Sequence, residues 1–134
     1  MAQAETEILK RVMLAARSAG LVLFRNNRGL FYTMDTVRSL ISAALSLNIT
    51  KIKDAINRLR KVRAGVDIDG SSDLIGWHIA TGKIACVEIK TPTGRVSDEQ
   101  KNFLDQVNKA GGIGIVCRDE KTLKELVDNA LKSK

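Results

Sequence analysis

The sequence is poor in cysteine and contains no long hydrophobic run, and each absence excludes a class of protein. The two cysteines, Cys86 and Cys117, are too few for a disulfide framework and are not spaced as metal ligands. No apolar run approaches the ~18 residues needed to cross a bilayer. The N-terminal residues also lack the charged-then-apolar order of a secretory signal. We therefore expect a cytoplasmic protein with no membrane segment, whose cysteines are reduced and lie on strands.

The chain does contain enough apolar residues for a core, together with an excess of basic residues. Its 134 residues are 44% hydrophobic, which fits one compact domain over residues 1–134. The 22 Lys and Arg residues exceed the 15 Asp and Glu residues and give a net charge of +7. Such a surplus favours a polyanionic partner, either nucleic acid or an acidic membrane surface. Charge alone does not choose between the two.

The hydrophobic pattern predicts helices that alternate with short strands. The predicted order is a helix over 5–19, a buried strand over 21–24, two helices over about 35–62 broken near Asn48, a hairpin of strands 74–79 and 84–89, a helix over 97–110, a buried strand over 113–117 and a last helix from Asp119. The strand–helix–strand step near the end requires a parallel crossover, which should be right-handed. The pattern therefore predicts an α/β domain with a central mixed sheet flanked by helices and with a helical insert.

The predicted hairpin brings two carboxylates and an ammonium group together. Side chains alternate faces along a strand, so Glu88 and Lys90 project to the same side. If Thr81 and Gly82 centre the turn, Asp73 pairs with Lys90 and lies diagonal to Glu88 on that face. Diagonal neighbours are about 7–8 Å apart at Cα, within reach of one shared ion.

Two carboxylates beside an ammonium group suit a Mg²⁺ site that hydrolyses phosphodiesters. Mg²⁺ binds few protein carboxylates and keeps waters and phosphate oxygens as its other ligands. The ion would neutralise the phosphate and lower the pKa of a bound water, which Lys90 would orient or help to deprotonate. The alternative is that Glu88 and Lys90 form an exposed strand pair and Asp73 is a turn residue. The hairpin between the acids and the apolar flanks favour the metal site.

At these residues the sequence resembles the VRR-NUC branch of the PD-(D/E)xK nuclease superfamily. Residues 70–76 resemble the family's small-residue–Asp–apolar–apolar–Gly segment, 87–90 resemble its ExK strand, and 94–100 resemble its Gly…Ser…Gln helix start. The N-terminal helix from Glu5 also has the family's spacing. Ser72 stands in place of the proline that names the superfamily, and residues 30–64 form a longer stretch than usual.

The resemblance implies a restriction-endonuclease-like fold and a metal-dependent endodeoxyribonuclease. Its implied metal ligands are Asp73, Glu88 and the backbone carbonyl of Ile89, and its implied catalytic-site residues are Lys90, Gln100 and Glu5. The implied ion is Mg²⁺, which Mn²⁺ can replace. Stand-alone VRR-NUC proteins of bacteria and phages resemble dimeric Holliday-junction resolvases, so the specific expectation is a homodimer that cuts four-way DNA junctions.

Several residues near the predicted site also have a purely structural explanation. Gln100 completes a capping box with Ser97, which is compatible with a role at the site. Glu5 competes with Glu7, and either acid would also favour a helix N-terminus. His78, the only histidine, falls on the face opposite Asp73 and is expected to be structural. Trp77 shares the Asp73 face, where a core or rim aromatic is expected.

Basic residues that cluster before and after the insert are candidates for DNA phosphate contact. They are Arg25, Arg28, Arg58, Lys61 and Arg63. Two further functions remain open beside junction cleavage. One is a flap-directed or nick-directed nuclease on the same core, and the other is a non-cleaving DNA-binding protein that uses the 35–62 helices as a helix-turn-helix. The apolar stripe of those helices would equally suit contact with a second subunit.

Overall fold

The structure is a computed structural model that describes residues 2–27, 29–66 and 68–133. In chain order its helices and strands are α1 (Ala2–Ala15), β1 (Leu21–Arg25), β2 (Gly29–Tyr32), α2 (Met34–Leu45), α3 (Ile49–Asn57), β3 (Lys61–Ala64), β4 (Leu74–His78), β5 (Ile84–Ile89), α4 (Asp98–Lys109), β6 (Ile113–Cys117) and α5 (Leu123–Lys132). Short 3-10 turns precede β1 and α5. Within the described ranges, no helix is both long and apolar enough to span a membrane.

These elements form two compact units, and the larger one contains the predicted α/β core. Its four-stranded sheet has the order β1-β4-β5-β6. The first two pairings are antiparallel and the pairing of β5 with β6 is parallel, with α4 as the connection. This is a mixed sheet flanked by helices, as the sequence predicts, and it is consistent with a restriction-endonuclease-like core.

The two faces of the sheet are covered by different helices. On one face, alternate residues such as Leu74 and Val87 form the main core with apolar residues of α1 and α5, including Val12 and Val127. On the other face α4 packs closely, because a Cβ added at Gly114 would lie 2.5 Å from the Leu104 carbonyl oxygen. The side chains of Asp73, Glu88 and Lys90 belong to this second face by strand alternation.

The smaller unit, residues 27–67, contains the predicted pair of helices and one feature that the sequence did not predict. The two helices are confirmed, with a break at 46–48 where Asn48 caps α3 by accepting a hydrogen bond from the Lys51 amide. The predicted end of the second helix near 62 is wrong, because α3 ends at Asn57 and Lys61 begins β3. The additional feature is an antiparallel ribbon of β2 and β3 on either side of the helices in sequence. Each strand has only four residues. β2 does not alternate, and the short alternating run of β3 was included in the end of the predicted second helix, so periodicity did not identify the ribbon.

The predicted register of the hairpin is wrong by two residues. Leu74 pairs with Val87, which places the position of Asp73 across from Glu88 and not from Lys90. The cause is the turn, which contains four residues, 79–82, and is closed by a 2.8 Å hydrogen bond from the His78 amide to the Lys83 carbonyl. A shift of two residues preserves strand parity, so the predicted shared face is retained.

The burial of β1 also differs from the prediction. A fully buried strand was expected over 21–24, whereas Leu21 and Leu23 are buried while Phe24 is 56% exposed. α4 packs on β5 and β6, and β1 lies at the other edge of the sheet, so α4 does not extend over β1 on the second face. The exposed aromatic ring of Phe24 is therefore a surface feature of the site-bearing face.

The packing of α4 yields a prediction about two glycines that both have positive φ angles. A Cβ at Gly70 (φ +76°) would lie 2.2 Å from the backbone carbonyl of Glu99 in α4, whereas a Cβ at Gly82 (φ +68°) would meet open space. We expect Gly82→Ala to lower the free energy of unfolding by about 1 kcal/mol through backbone strain alone. We expect Gly70→Ala to lower it by about 3 kcal/mol or more, since the clash adds to that strain. Urea unfolding of both variants measures the difference, and equal losses would contradict this account of α4 packing.

Candidate active site

Asp73 lies in the bend just before β4, where hydrogen bonds fix both its backbone and its side chain. Its carbonyl oxygen accepts a 2.7 Å hydrogen bond from the Asn26 amide, which follows β1. Its carboxylate Oδ2 accepts a 2.9 Å hydrogen bond from the Ile89 amide at the end of β5. The Asp73 carboxylate therefore lies beside the backbone of the ExK strand.

Glu88 is the most deeply buried charged group of the site, with only 1% of its surface exposed. Its Oε1 accepts hydrogen bonds from two donors, the Lys90 ammonium at 3.0 Å and the Gln100 carboxamide. Its Oε2 is buried and has no hydrogen-bond partner among the residues that the structure describes. The alternative of an exposed Glu88–Lys90 strand pair is wrong, since the Lys90 side chain is also only 14% exposed.

The electrostatics of Glu88 reflect this burial. Loss of hydration raises the pKa of the carboxyl above its ordinary value of 4.5, and the negative charge of Asp73 raises it further. The hydrogen bond and charge of Lys90 lower the pKa and so oppose part of that increase. Placing a cation beside Oε2 would stabilise the ionised form of Glu88, which the present surroundings only partly compensate.

Gln100 has its capping role and a contact with Glu88 at the same time. Its Oε1 accepts a 2.9 Å hydrogen bond from the Ser97 amide, and its own amide donates to the Ser97 hydroxyl at 3.2 Å. The predicted capping box is thus confirmed. Because Oε1 is engaged by Ser97, the carboxamide turns its Nε2 donor towards Glu88. The cap of α4 fixes the orientation in which Gln100 meets the acid.

A small cleft opens beside Asp73 and contains two more of the predicted residues. It has a volume of about 210 Å³ and is lined by Glu5, Thr6, Leu9, Arg25, Asp73 and Ile89. That volume holds an ion with several waters, each of which occupies ≈ 30 Å³ of liquid. Glu5 from α1 and Arg25 from β1 therefore border the same cleft as Asp73. Glu7 is instead exposed and paired with Lys10 at 2.9 Å, so the geometry favours Glu5 of the two candidates.

The other predicted basic residues are not placed at this cleft. Arg28 lies outside the described residues, and the side chains of Lys61 and Arg63 on β3 are likewise outside them. Arg58 is exposed at the C-terminal end of α3, in the smaller unit. Their contact with DNA stays a prediction.

Two residues that position the site were not identified from the sequence. Asn26 donates from its side chain to the Ser72 carbonyl at 3.0 Å, in addition to its backbone contact with Asp73. Arg118, just after β6, donates to the carbonyls of Thr91 and Gly94 in the loop between β5 and α4. Neither has a local motif, because each acts on a segment far away in sequence. Only strand pairing reveals them.

The remaining expectations concern residues that the site does not use. The His78 ring bonds Thr81 at 2.9 Å within the hairpin turn, as expected for a structural histidine. Cys86 and Cys117 are free and buried on β5 and β6, as expected, and burial raises the pKa of both thiols. Trp77 is 43% exposed, which makes it a rim residue on the site-bearing face.

The fold and site together define a class of protein. A mixed sheet that carries an Asp at the start of one strand, an ExK sequence at the end of the next and a supporting Gln on the following helix is the arrangement of a PD-(D/E)xK nuclease. The family model described as the VRR-NUC domain matches residues 20–120, well over half of the chain, and the chain belongs to this family. It is thus a nuclease that acts on DNA. No curated protein and no solved structure matches it.

The dual contacts of Gln100 predict that stability and activity can be separated. Gln100→Glu keeps the acceptor of the capping box but replaces the donor to Glu88 with a like charge. We expect DNA cleavage to fall roughly 10- to 100-fold, as for loss of a residue that supports a site acid. The free energy of unfolding should fall by about 1 kcal/mol or more, because the new carboxylate lies beside the buried Glu88.

Ser97→Ala is the matched control, since it removes the cap hydroxyl and leaves the Gln100 donor in place. It should cost about 1 kcal/mol of stability and leave most of the activity. Urea unfolding and a cleavage assay on the same preparations compare the two variants. If activity followed stability in both, the contact with Glu88 would have no functional part.

The raised pKa of Glu88 predicts a pH-dependent stability in the metal-free protein. The folded carboxyl holds its proton more tightly than the unfolded one, so its stabilising contribution is full below the unfolded pKa and is lost as the pH rises through the folded pKa. Measured by urea unfolding in chelator from about pH 4 to about pH 8, the wild type should lose stability relative to Glu88→Gln. A difference in unfolding free energy between the two proteins that does not vary with pH would contradict a Glu88 pKa raised by burial.

Proposed function

We propose that this protein is a Mg²⁺-dependent endonuclease that hydrolyses phosphodiesters in branched DNA, most specifically four-way junctions, as a homodimer. The observation that carries the proposal is the buried Glu88 carboxylate, whose Oε2 lacks a hydrogen-bond partner among the described residues. An orphaned buried carboxylate oxygen beside a second carboxylate is suited to a cation, and membership of the VRR-NUC family supports the same chemistry.

The residues present fit a hard divalent ion. Asp73, Glu88 and the Ile89 carbonyl would hold it through oxygen atoms, the donor type that Mg²⁺ and Mn²⁺ prefer. Within the described ranges no three His, Cys, Asp or Glu side chains form a metal cage, so two carboxylates would leave positions for waters and a phosphate. When bound, the ion supplies charge neutralisation of the phosphate and lowers the pKa of water.

The chain's own residues have separate tasks in this proposal. Lys90, 3.0 Å from Glu88 and largely buried, holds its ammonium where it can orient a water and take part in proton transfer. Gln100 holds Glu88 in place. Arg25 borders the cleft and offers a cation to the substrate phosphate, while Glu5 adds an acidic group to the same cleft. Together these residues favour a phosphodiester substrate over an uncharged one.

The preference for branched DNA and the homodimer rest on the family resemblance and on symmetry. Symmetric incision of a four-way junction requires two active sites, and a two-fold dimer supplies them from a chain that has one. A flap-directed or nick-directed nuclease on the same core is the second candidate. A non-cleaving DNA-binding protein is disfavoured, since Asp73 and Glu88 near phosphate would repel DNA without a cation.

Cleavage of defined DNA substrates tests the proposal. The protein is incubated with four-way junctions, flaps and linear duplex of equal length, with Mg²⁺, with Mn²⁺ or with chelator. We expect junction cleavage that requires metal, and a loss of about 10²-fold or more in Asp73→Asn and in Lys90→Ala, since each removes a group that acts on the reacting phosphate.

The matched controls are Asp69→Asn and Lys83→Ala, exposed or half-exposed residues of the same segments that lie outside the site. They should retain activity. Undiminished cleavage by the Asp73 and Lys90 variants would overturn this site, and metal-independent binding without cleavage would favour the DNA-binding alternative. Light scattering at the assay concentration decides between monomer and dimer.

A further inference from the structure

Beside the candidate active site, the same sheet face carries an apolar surface that no helix of the larger unit covers. We call it the aromatic platform and define it by Val22, Phe24, Ile75, Trp77 and Ile84. Trp77 lies between Val22 and Ile84 as its cross-strand partners, and Phe24 is the partner of Ile75. Phe24, Trp77 and Ile84 are 56%, 43% and 50% exposed. Large side chains thus remain in contact with solvent across three adjacent strands.

The two rings of the platform lie close together. The Phe24 and Trp77 ring centroids are 5.5 Å apart with an interplanar angle of 44°. This separation is within the range of aromatic pairs, so each ring stabilises the position of the other. Both rings retain a substantial exposed surface. The pair is therefore a preformed aromatic surface and needs little ordering to bind a flat ligand.

The platform is continuous with the catalytic acids. Asp73 lies just before β4, and by alternation it is on the same face of the sheet as Ile75 and Trp77. Since Phe24 pairs with Ile75, it is diagonal to Asp73, at about 7–8 Å between Cα atoms. Trp77 is four residues from Asp73, about 13 Å along an extended strand. DNA rises ~3.4 Å per base step, so the platform lies within a few nucleotides of a phosphate held at Asp73.

We propose that the aromatic platform stacks an unpaired base of the DNA substrate, a few nucleotides from the phosphodiester that is cut. This inference rests on the proposed nuclease function and names a feature of its substrate, an unpaired base at the branch. Bases inside a duplex stack on each other and present no free ring face, whereas an unpaired base offers one to Phe24 and Trp77.

The charge of the surroundings favours DNA as the occupant over a second copy of this chain. Arg25 follows Phe24 on β1 and borders the cleft with Asp73, so a cation lies at the same end of the sheet as the candidate active site, where it can contact the backbone of a bound DNA strand. The chain has a net charge of +7, which attracts a polyanion. A second copy seated on the platform would also cover the approach to Asp73.

The only tryptophan of the chain is part of the platform, so its fluorescence reports on occupancy directly. The full-length protein in chelator, which prevents cleavage, is titrated with three probes of equal length. They are a duplex with a single-stranded flap, the same flapped duplex with abasic sites in the flap, and a fully paired duplex. We expect quenching by the first probe alone, because the abasic flap keeps the phosphates but lacks the bases. Equal quenching by the abasic or fully paired probe would overturn the proposal.

Variants then separate ring stacking from apolar contact. Phe24→Leu and Trp77→Leu keep an apolar side chain but remove a ring, and each should weaken binding of the flapped probe roughly 5- to 100-fold while leaving duplex binding unchanged. Leu14→Ala is the control, as Leu14 is 83% exposed on α1 outside the platform, and it should change neither affinity. Unchanged flap affinity in both platform variants would overturn the proposal.

Two further outcomes have distinct meanings. If the wild type cuts branched DNA and the platform variants keep its preference for unpaired nucleotides, the platform proposal fails and the proposed nuclease function stands. If no DNA is cut with any metal, the proposed function fails, while quenching still reports whether the platform binds bases. If Trp77 emission follows protein concentration without DNA, and light scattering shows a dimer that Trp77→Asp dissociates, the platform is a subunit interface and the proposal is overturned.

Discussion

The burial of the Glu88 carboxylate is the constraint on which the rest of the larger unit depends. A charge removed from water is costly unless opposite charges and hydrogen bonds compensate it. Lys90 and Gln100 satisfy one oxygen of Glu88, and the other oxygen is left without a partner among the described residues. A cation at that oxygen would complete the compensation, so the feature that is unfavourable for the metal-free fold is the one that makes the site suitable for catalysis.

Separate segments of the chain cooperate to hold this acid and its neighbour. The sheet places Asp73 across from Glu88, and Arg118, just after β6, secures the loop that follows Lys90. The start of α4 contributes Gln100 in an orientation fixed by its own capping box. Because each contact joins positions distant in sequence, the geometry of the site is a property of the packed unit and not of any single motif.

The site-bearing face of the sheet has two parts: a covered part that holds the candidate catalytic groups and an open part that carries the aromatic platform. Over β5 and β6 it is covered by α4, which excludes water from Glu88 and gives its charge interactions their strength. Over β1 and β4 it is open and carries Phe24 and Trp77. A nuclease must bury its reacting groups and still expose a surface to a large polyanion, and this division of one face meets both requirements.

The sequence by itself predicted the candidate site and the sheet. Strand alternation and the family motifs point to Asp73, Glu88 and Lys90, and the succession of helices and strands predicts the mixed sheet. Prediction from the sequence failed for features that depend on contacts between distant segments of the chain. The four-residue turn shifted the register, the strands of the β2–β3 ribbon are too short for periodicity to identify them, and Phe24 is exposed because α4 packs over β5 and β6 and not over β1. Tertiary structure alone decided which of Glu5 and Glu7 borders the cleft and which oxygen of Glu88 lacks a partner among the described residues. The face that a side chain occupies follows from alternation along one strand and can be counted in the sequence. Burial and strand pairing depend instead on distant segments that pack against that strand.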